Sequence, residues 1–177
     1  MLEWFQIVAH VCTVIALVAL FIQMKFDSDS RRVSQALGYI AQLNSEPMAG
    51  HRENLDRTLL PFLAELQDIK ASGGADRLNA DRVITEAFHR HDVRGTEIPA
   101  RLSVVQLTQF YDQILVCRAE DICDASVIDA NVGPQIVEFW NNYESFIGQA
   151  RNAGTTGLGD AVKRYVGARS VRKNATN

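Results

Sequence analysis

Two histidines near the middle of the chain come closest to a chemical motif. His89 and His91 lie two residues apart in the sequence His-Arg-His-Asp. On a helix, residues i and i+2 point in different directions, so the two imidazoles would not share one ligand sphere. The favoured interpretation is a solvated helix end, where histidine interacts favourably with the helix dipole. His51 stands alone between charged neighbours and is predicted to lie on the surface.

Motifs of known catalytic chemistry are missing from the sequence. There is no G-x-S-x-G nucleophile motif. The segment GTTGLGD lacks the Lys-Ser/Thr pair of a phosphate-binding loop and follows no predicted strand. The acidic residues Glu120, Asp121 and Asp124 fit helix ends better than an acid–base pair. We therefore predict that the protein is not an enzyme, and we predict no catalytic residue, no metal and no cofactor.

The three cysteines are Cys12, Cys117 and Cys123. The C-x5-C spacing of the last two, without a second Cys or His pair nearby, does not match a zinc site. A cytoplasmic domain would keep both thiols reduced, whereas a domain on the opposite side of a membrane could join them in a disulfide. Structural thiols are the favoured interpretation, and the disulfide is the alternative.

The strongest feature of the sequence is an apolar stretch over residues 4–24, WFQIVAHVCTVIALVALFIQM. At ~1.5 Å per residue this stretch reaches ~31 Å, which matches the hydrocarbon thickness of a bilayer. A signal peptide would begin with Lys or Arg and end in small residues. Here the first charged residue is Glu3, and no A-x-A-like cleavage site for a signal peptidase follows the apolar stretch. We predict a retained transmembrane helix; a cleaved signal and a buried core helix are the alternatives.

Basic residues flank the apolar stretch on its C-terminal side only. Lys25, Arg31 and Arg32 follow it, and no Lys or Arg precedes it. Positive charge near a membrane helix marks the cytoplasmic side. We therefore predict a single-pass membrane protein, with its N-terminus outside and its C-terminal domain in the cytoplasm; for a bacterial protein this membrane is the inner membrane.

One face of the predicted anchor carries polar and small side chains. Small residues permit close helix approach in lipid, and polar ones form hydrogen bonds across the contact. For His10, a neutral imidazole near the interface is favoured over a hydrogen bond to a partner helix. Metal or haem ligation is the weakest alternative, since one histidine supplies one ligand. The predicted membrane-helix interface comprises Gln6, Ala9, His10, Thr13 and Ala16. Its expected partner is another membrane protein or a second copy of this chain.

The rest of the chain is predicted to be all-α, a small cytoplasmic helical bundle. Apolar residues recur at spacings of three and four, and no strand alternation is found. Residues 1–26 form the anchor, 27–46 a juxtamembrane amphipathic helix, 47–152 the helical domain, and 153–177 a Gly-rich linker and basic tail. A net charge of −3 argues against nucleic acid as a partner.

Individual residues mark the ends of the predicted helices. Pro61 is expected to kink or divide a leucine-rich helical run. Asp124 is predicted to cap a short helix, and Gly133-Pro134 to end it and begin the next. Residues 154–159, GTTGLG, are predicted to be a flexible linker.

Two groups of side chains are candidate contact surfaces. The first is a basic tail that could lie on anionic lipid, although a solvated tail is favoured; it contains Lys163, Arg164, Arg169, Arg172 and Lys173. The second is an aromatic cluster at helical spacing, for which a core role is favoured over a partner groove; it contains Phe139, Trp140, Tyr143 and Phe146.

The segment over residues 110–151 resembles an uncharacterised bacterial family, domain of unknown function 4760. An aromatic-rich helix, an ICD turn, a GP pair and the run FWNNYESFI carry the resemblance. The matching residues are Phe110, Ile122, Cys123, Asp124, Gly133, Pro134, Trp140, Tyr143, Phe146, Ile147 and Arg151. The resemblance implies one N-terminal membrane helix followed by a small helical domain, and it implies no activity.

Two functional hypotheses follow. The first is an accessory or scaffolding subunit that contacts its partner through the membrane helix and the helical domain. The second is a membrane-tethered sensor or effector that binds a small ligand or responds to stress. The second hypothesis requires an apolar cavity among the aromatic residues, with polar groups converging on it.

Overall fold

The computed structural model describes the backbone of residues 2–71, 77–93 and 98–175, and the side chains of residues 14–69, 79–93 and 98–171. These residues confirm the all-α prediction and contain no strand. The α-helices are α1 (Leu2–Leu43), α2 (Met48–Leu59), α3 (Leu63–Ala71), α4 (Arg77–Val93), α5 (Ala100–Ala119), α6 (Ala125–Asn131), α7 (Gly133–Asn152) and α8 (Asp160–Ala175).

The first helix runs without interruption through the predicted anchor and the juxtamembrane segment. Its large apolar side chains from Val14 to Phe26 are each 48–71% exposed. Among the residues that the structure describes, no helix is both long enough and apolar enough to span a bilayer. Residues 4–13 of the predicted anchor have side chains outside the described part, and these include Gln6, Ala9, His10 and Thr13. Ala16, the remaining member of the predicted interface, is exposed.

Helix α5 lies at the centre of the bundle. Half of its residues are buried, on more than one face, and they include Val104, Leu107, Phe110 and Ile114. A helix that is apolar on several sides requires neighbours on several sides. Helices α2, α7 and α8 pack around α5, and α1 joins them through the edge-to-face contact of Tyr39 with Phe110.

A disulfide joins Cys117 to Cys123 across the turn that follows α5. The prediction of free structural thiols is therefore wrong for this pair. The local reason is the tight turn, in which the Cys123 N–H donates to the Cys117 carbonyl at 3.0 Å. This turn brings the two side chains together, with Cα atoms 5.3 Å apart. Both cysteines are buried.

The same turn fixes the bundle to α1. The Asp124 N–H donates to the Arg32 carbonyl at 3.1 Å, and the Arg32 guanidinium pairs with Asp121 at 2.7 Å. The predicted cap at Asp124 is confirmed, because its carboxylate accepts from the Val127 N–H at the start of α6. These bonds place the end of α5 beside the part of α1 that follows its exposed apolar residues.

The other predicted helix boundaries are mostly as expected. Pro61 lies in a 3₁₀ turn, Leu60–Phe62, which divides the leucine-rich run into α2 and α3. Pro134 lies in the first turn of α7. Residues 154–159 differ from the prediction of a flexible linker. They form turns in which Leu158 and Gly159 are buried, since Gly159 adopts a φ of 76° that lets the backbone pass close to Trp140.

Asp112 explains why α8 packs in the bundle although its sequence indicates a weak helix. The Asp112 carboxylate accepts three backbone N–H groups from the start of α8, those of Gly159, Ala161 and Val162, at 2.6–3.1 Å. A side chain of α5 thus caps α8, which lacks a capping partner of its own. Burial raises the pKa of Asp112 above its usual value, against the lowering effect of the three N–H donors.

A candidate helix-binding groove

An open groove of about 1600 Å³ lies between the α2–α4 side of the bundle and α7 with α8. We call it the α2–α7 groove. Most of its walls are aliphatic, and several of these side chains are only partly buried although they are large and apolar. The principal aliphatic residues are Leu55, Leu59, Leu63, Leu66, Val137 and Val166. Partly exposed apolar walls of this kind are typical of surfaces that bind a partner or ligand.

Three aromatic rings form part of the groove wall. Phe139 packs between two tyrosines, with ring centroids 5.1 Å from Tyr111 and 4.9 Å from Tyr143. Burial raises the pKa of Tyr111 to about 12, and burial also raises the pKa of Tyr143. Both side chains therefore stay protonated at neutral pH. Neither hydroxyl donates a hydrogen bond within the described part of the chain, where no fully buried oxygen lacks a partner. Both tyrosines contribute to the lining of the groove.

Carboxylates line the lip of the groove. Asp56, Asp81 and Glu138 belong to the lining and form no ion pair with any described residue. The two arginines of the lining point toward other partners. Arg52 donates to the Asn44 side chain at 3.0 Å, and Arg169 lies over the Tyr165 ring at 5.5 Å. The groove therefore combines apolar walls with a lip whose acidic groups are available.

The predicted aromatic cluster is divided between two environments. Phe139 and Tyr143 line the groove, and Phe146 packs edge-to-face on Phe88 with centroids 5.5 Å apart. Trp140 is 5% exposed and lies against Gly159 on another side of α7. The cluster is thus mainly core, as favoured from the sequence, while two of its members also form a groove wall.

A polar network beside the groove connects α5, α6 and α8. Asp129 accepts two hydrogen bonds from Arg118, at 2.9 and 2.8 Å, and one from the Tyr165 hydroxyl at 2.8 Å. Arg118 also lies over the Tyr165 ring, 5.3 Å from its centroid. Burial raises the pKa of Asp129, but the hydrogen bonds from Arg118 and Tyr165 outweigh it, so the pKa lies below its usual value.

The predicted Gly-Pro motif makes this network possible. A Cβ atom on Gly133 would lie 2.5 Å from the Tyr165 hydroxyl oxygen and 2.6 Å from an Arg169 nitrogen. A Cβ there would displace these two side-chain ends, so glycine lets them lie against the start of α7. The network positions α8, and α8 supplies Val166 and Arg169 to the groove.

The histidines form no metal centre among the described residues, where no group of three or more His, Cys, Asp or Glu side chains could hold an ion. His89 is exposed in the last turns of α4, and His91 beside it is half-buried. The prediction that His51 lies on the surface is wrong. Its side chain is buried, with Nδ1 3.1 Å from the Ser103 hydroxyl, because α2 packs directly across α5.

The basic tail is only partly covered by the described side chains. Lys163, Arg164 and Arg169 are exposed on α8. Arg172 and Lys173 have side chains outside the described part.

Sequence reasoning did not find the groove itself. Tyr111, Asp56 and Glu138 carry no motif, and they meet only because α2, α5 and α7 fold together. One signal was present: the run from Leu55 to Leu66 contains more leucines than one helix face can bury. No protein family, curated protein or solved structure matches the chain. The resemblance over residues 110–151 therefore stays a prediction.

Proposed function

We propose that this protein is a membrane-anchored accessory subunit whose helical domain holds an amphipathic helix of a partner protein in the α2–α7 groove. The observation that carries the proposal is the combination of a large apolar groove with carboxylates on its lip that form no ion pair with a described residue. Helix-in-groove recognition needs an apolar channel for one face of the guest helix and a polar rim for its flanks.

The size of the groove favours a helix over a small ligand. Small-molecule pockets enclose roughly 300 to 1,000 Å³, whereas this groove is open and measures about 1600 Å³. A helix of three turns is about 16 Å long and about 10 Å wide, so it occupies about 1300 Å³. The sensor hypothesis is a second candidate, supported by the aromatic and polar side chains of Tyr111 and Tyr143 among the lining residues.

The charges on the lip specify the chemistry of the guest. Asp56 and Glu138 lie on α2 and α7, the two opposite walls, and Asp81 lies on α4. The described lining residues include three carboxylates and two guanidinium groups, a net charge of −1, so the lip attracts positive charge. The proposed guest is therefore a helix with an apolar stripe flanked by Lys or Arg, and each exposed charge pair adds roughly 0.2–1 kcal/mol.

The anchor in this proposal is α1. The exposed row of Val, Leu, Ile and Phe side chains from Val14 onward supports insertion into lipid, because a contiguous apolar surface in water is unfavourable. The apolar sequence over residues 4–24 supports the same conclusion. The proposed partner is another membrane protein or a second copy of this chain.

The proposed orientation places the helical domain in the cytoplasm, supported by Lys25, Arg31 and Arg32. The Cys117–Cys123 disulfide opposes it, because cytosolic reductants keep most thiols reduced. A Thr155→Cys variant in a Cys12→Ser background places one thiol at an exposed turn. An impermeant maleimide should label it only after spheroplasts are permeabilised. Labelling in intact spheroplasts would place the domain outside, where disulfides form readily.

A peptide titration tests the groove. The full chain is placed in zwitterionic nanodiscs, and a fluorescent model helix with a leucine stripe flanked by lysines is titrated while anisotropy is measured. Leu63→Asp puts a charge on the groove wall. Leu102→Asp is the matched control, since Leu63 is 44% and Leu102 45% exposed and Leu102 lies outside the groove.

We expect Leu63→Asp to weaken peptide binding at least tenfold and Leu102→Asp to leave it unchanged. If both variants bind the peptide as tightly as the unmodified protein does, the groove is not the binding site. Empty nanodiscs give the background due to lipid alone.

A further inference from the structure

We infer that the C-terminal part of α8 rests on an anionic lipid surface and so fixes the helical domain against the membrane. This inference rests on the proposed membrane anchor and does not depend on the α2–α7 groove. The described cation in this part of α8 is Arg169, which is exposed, and Arg172 and Lys173 follow it in the sequence.

The contacts between α1 and α5 show how α5 is oriented relative to the anchor. Phe110 of α5 packs on Tyr39, and Asp121 and Asp124, just beyond α5, bind Arg32. As residue numbers rise along α5, they fall along α1. The two helices are therefore antiparallel, and the C-terminal end of α5 lies nearest the exposed apolar part of α1.

The contacts of α8 with α5 and α6 show in which direction α8 runs. Its first residues bind Asp112 in the middle of α5, and Tyr165 further along binds Asp129, the partner of Arg118 near the end of α5. Helix α8 therefore runs in the same direction as α5. Its C-terminal end points to the end of the bundle where α1 leaves as an apolar helix.

The distances along the helices agree with a membrane contact. Val171 lies six residues beyond Tyr165, which is about 9 Å further along α8. Phe26, the last large exposed apolar residue of that part of α1, lies six residues before Arg32, again about 9 Å. The end of α8 thus reaches about the level at which the apolar surface of α1 begins.

The charge of α8 identifies the surface that it fits. Its single acid, Asp160, is at the far end and pairs with Arg151 at 2.7 Å. The remaining charged residues of α8 are all basic. Carboxylates at the same end of the bundle lie on α1, in the disulfide turn and on α6: Asp27, Asp29, Glu120, Asp121, Asp124 and Asp129, of which Asp121 pairs with Arg32 and Asp129 with Arg118. An anionic bilayer therefore attracts α8 rather than those elements.

A depth measurement on the full chain tests the inference. An environment-sensitive fluorophore is attached at Val171→Cys, which is exposed, in a Cys12→Ser background. The chain is reconstituted in nanodiscs of phosphatidylglycerol with phosphatidylcholine, or of phosphatidylcholine alone, with a nitroxide quencher on the headgroups. A label at Ser45→Cys, in the exposed turn at the far end of α1, is the control.

We expect strong quenching at residue 171 in anionic discs, weak quenching in zwitterionic discs, and little at residue 45 in either. Each basic residue near such a surface raises the docked population about fivefold, so Arg169→Gln should lower it about fivefold, whereas Lys163→Gln, about 9 Å further back along α8, should change it far less. Inorganic phosphate at constant ionic strength should not compete, since the proposed ligand is a lipid surface.

The outcomes separate this inference from the proposed anchor. If the chain fails to enter nanodiscs at all, the anchor is wrong. If it enters but residue 171 is quenched equally in both lipids, or no more than residue 45, the α8 contact is wrong and the anchor stands. Competition by phosphate alone would show an anion site in place of a membrane contact.

Discussion

The Asp129 network gives the sharpest stability prediction. Asp129→Asn keeps the size of the side chain but removes its charge. The new amide NH2 group is a donor, so it cannot accept a hydrogen bond from the Arg118 guanidinium. Arg118 and Asp129 have side chains 26% and 32% exposed, so the pair is partly buried and only moderately screened by water. The substitution leaves the Arg118 charge without its partner.

The size of the effect follows from the three hydrogen bonds that Asp129 accepts. A hydrogen bond to a charged group contributes about 1.5–3 kcal/mol. Because the amide oxygen still accepts one bond and the pair is about a third exposed, we expect a loss of about 2 kcal/mol at pH 7. For a chain of this length that corresponds to a fall in Tm of roughly 4–8 °C.

The pH dependence gives the prediction its specific signature. The pKa of Asp129 is lower in the folded protein than its usual value. The stability it contributes is therefore present above the unfolded pKa of about 3.9 and is lost as the pH falls through the folded pKa. The difference between Asp129→Asn and the unmodified protein should be full at neutral pH and should shrink below about pH 4.

The assay is unfolding of the detergent-solubilised full chain, followed by circular dichroism at several pH values. Glu120→Gln is the control, because Glu120 is exposed and should change stability by less than about 0.5 kcal/mol. A difference for Asp129→Asn that is the same at pH 7 and in acid would refute the electrostatic role. A difference no larger than that of the control would refute the network altogether.

Two further predictions concern packing and covalent structure. Gly159→Ala should destabilise the chain by roughly 2–4 kcal/mol, because φ is 76° and the new Cβ would lie 3.0 Å from Trp140. Gly167→Ala is the control: its Cβ meets nothing within 4 Å, so it should stabilise the chain by about 0.5–1 kcal/mol. A comparison of melting temperatures checks both, and an equal effect of the two would contradict the account of the turn. Replacing Cys117 and Cys123 together by alanine should cost about 2 kcal/mol, since the bridge closes a loop of sequence separation 6. Urea unfolding measures this loss, and an unchanged midpoint would show that the bridge does not stabilise the fold.

Local signals in the sequence predicted the helices well. Asp124 as a cap, Pro61 as a break and Gly133-Pro134 as a helix start depend on neighbouring residues only. Helix α1 runs without a break from Leu2 to Leu43, and no Gly or Pro interrupts the sequence near residue 27, where the anchor was predicted to give way to the juxtamembrane helix.

Features made by distant residues were not predictable in the same way. Asp112 caps a helix 47 residues further along the chain, so the weak sequence of α8 indicated a tail. His51 is buried only because Ser103 meets it from α5. The groove likewise depends on side chains from separate helices, none of which forms a motif. Such contacts are decided by packing, which a single sequence does not display.

The most direct test of the central claim is a charge-swap titration of the groove. Two model helices with the same leucine stripe, one flanked by lysines and one by glutamates, are titrated against the unmodified chain and against the double variant Asp56→Lys, Glu138→Lys. With two exposed pairs of up to about 1 kcal/mol each, the unmodified chain should prefer the lysine helix by up to about 30-fold. The double variant should prefer the glutamate helix. The same preference in both proteins, or no binding of either helix, would contradict the proposal that this groove holds a basic amphipathic helix.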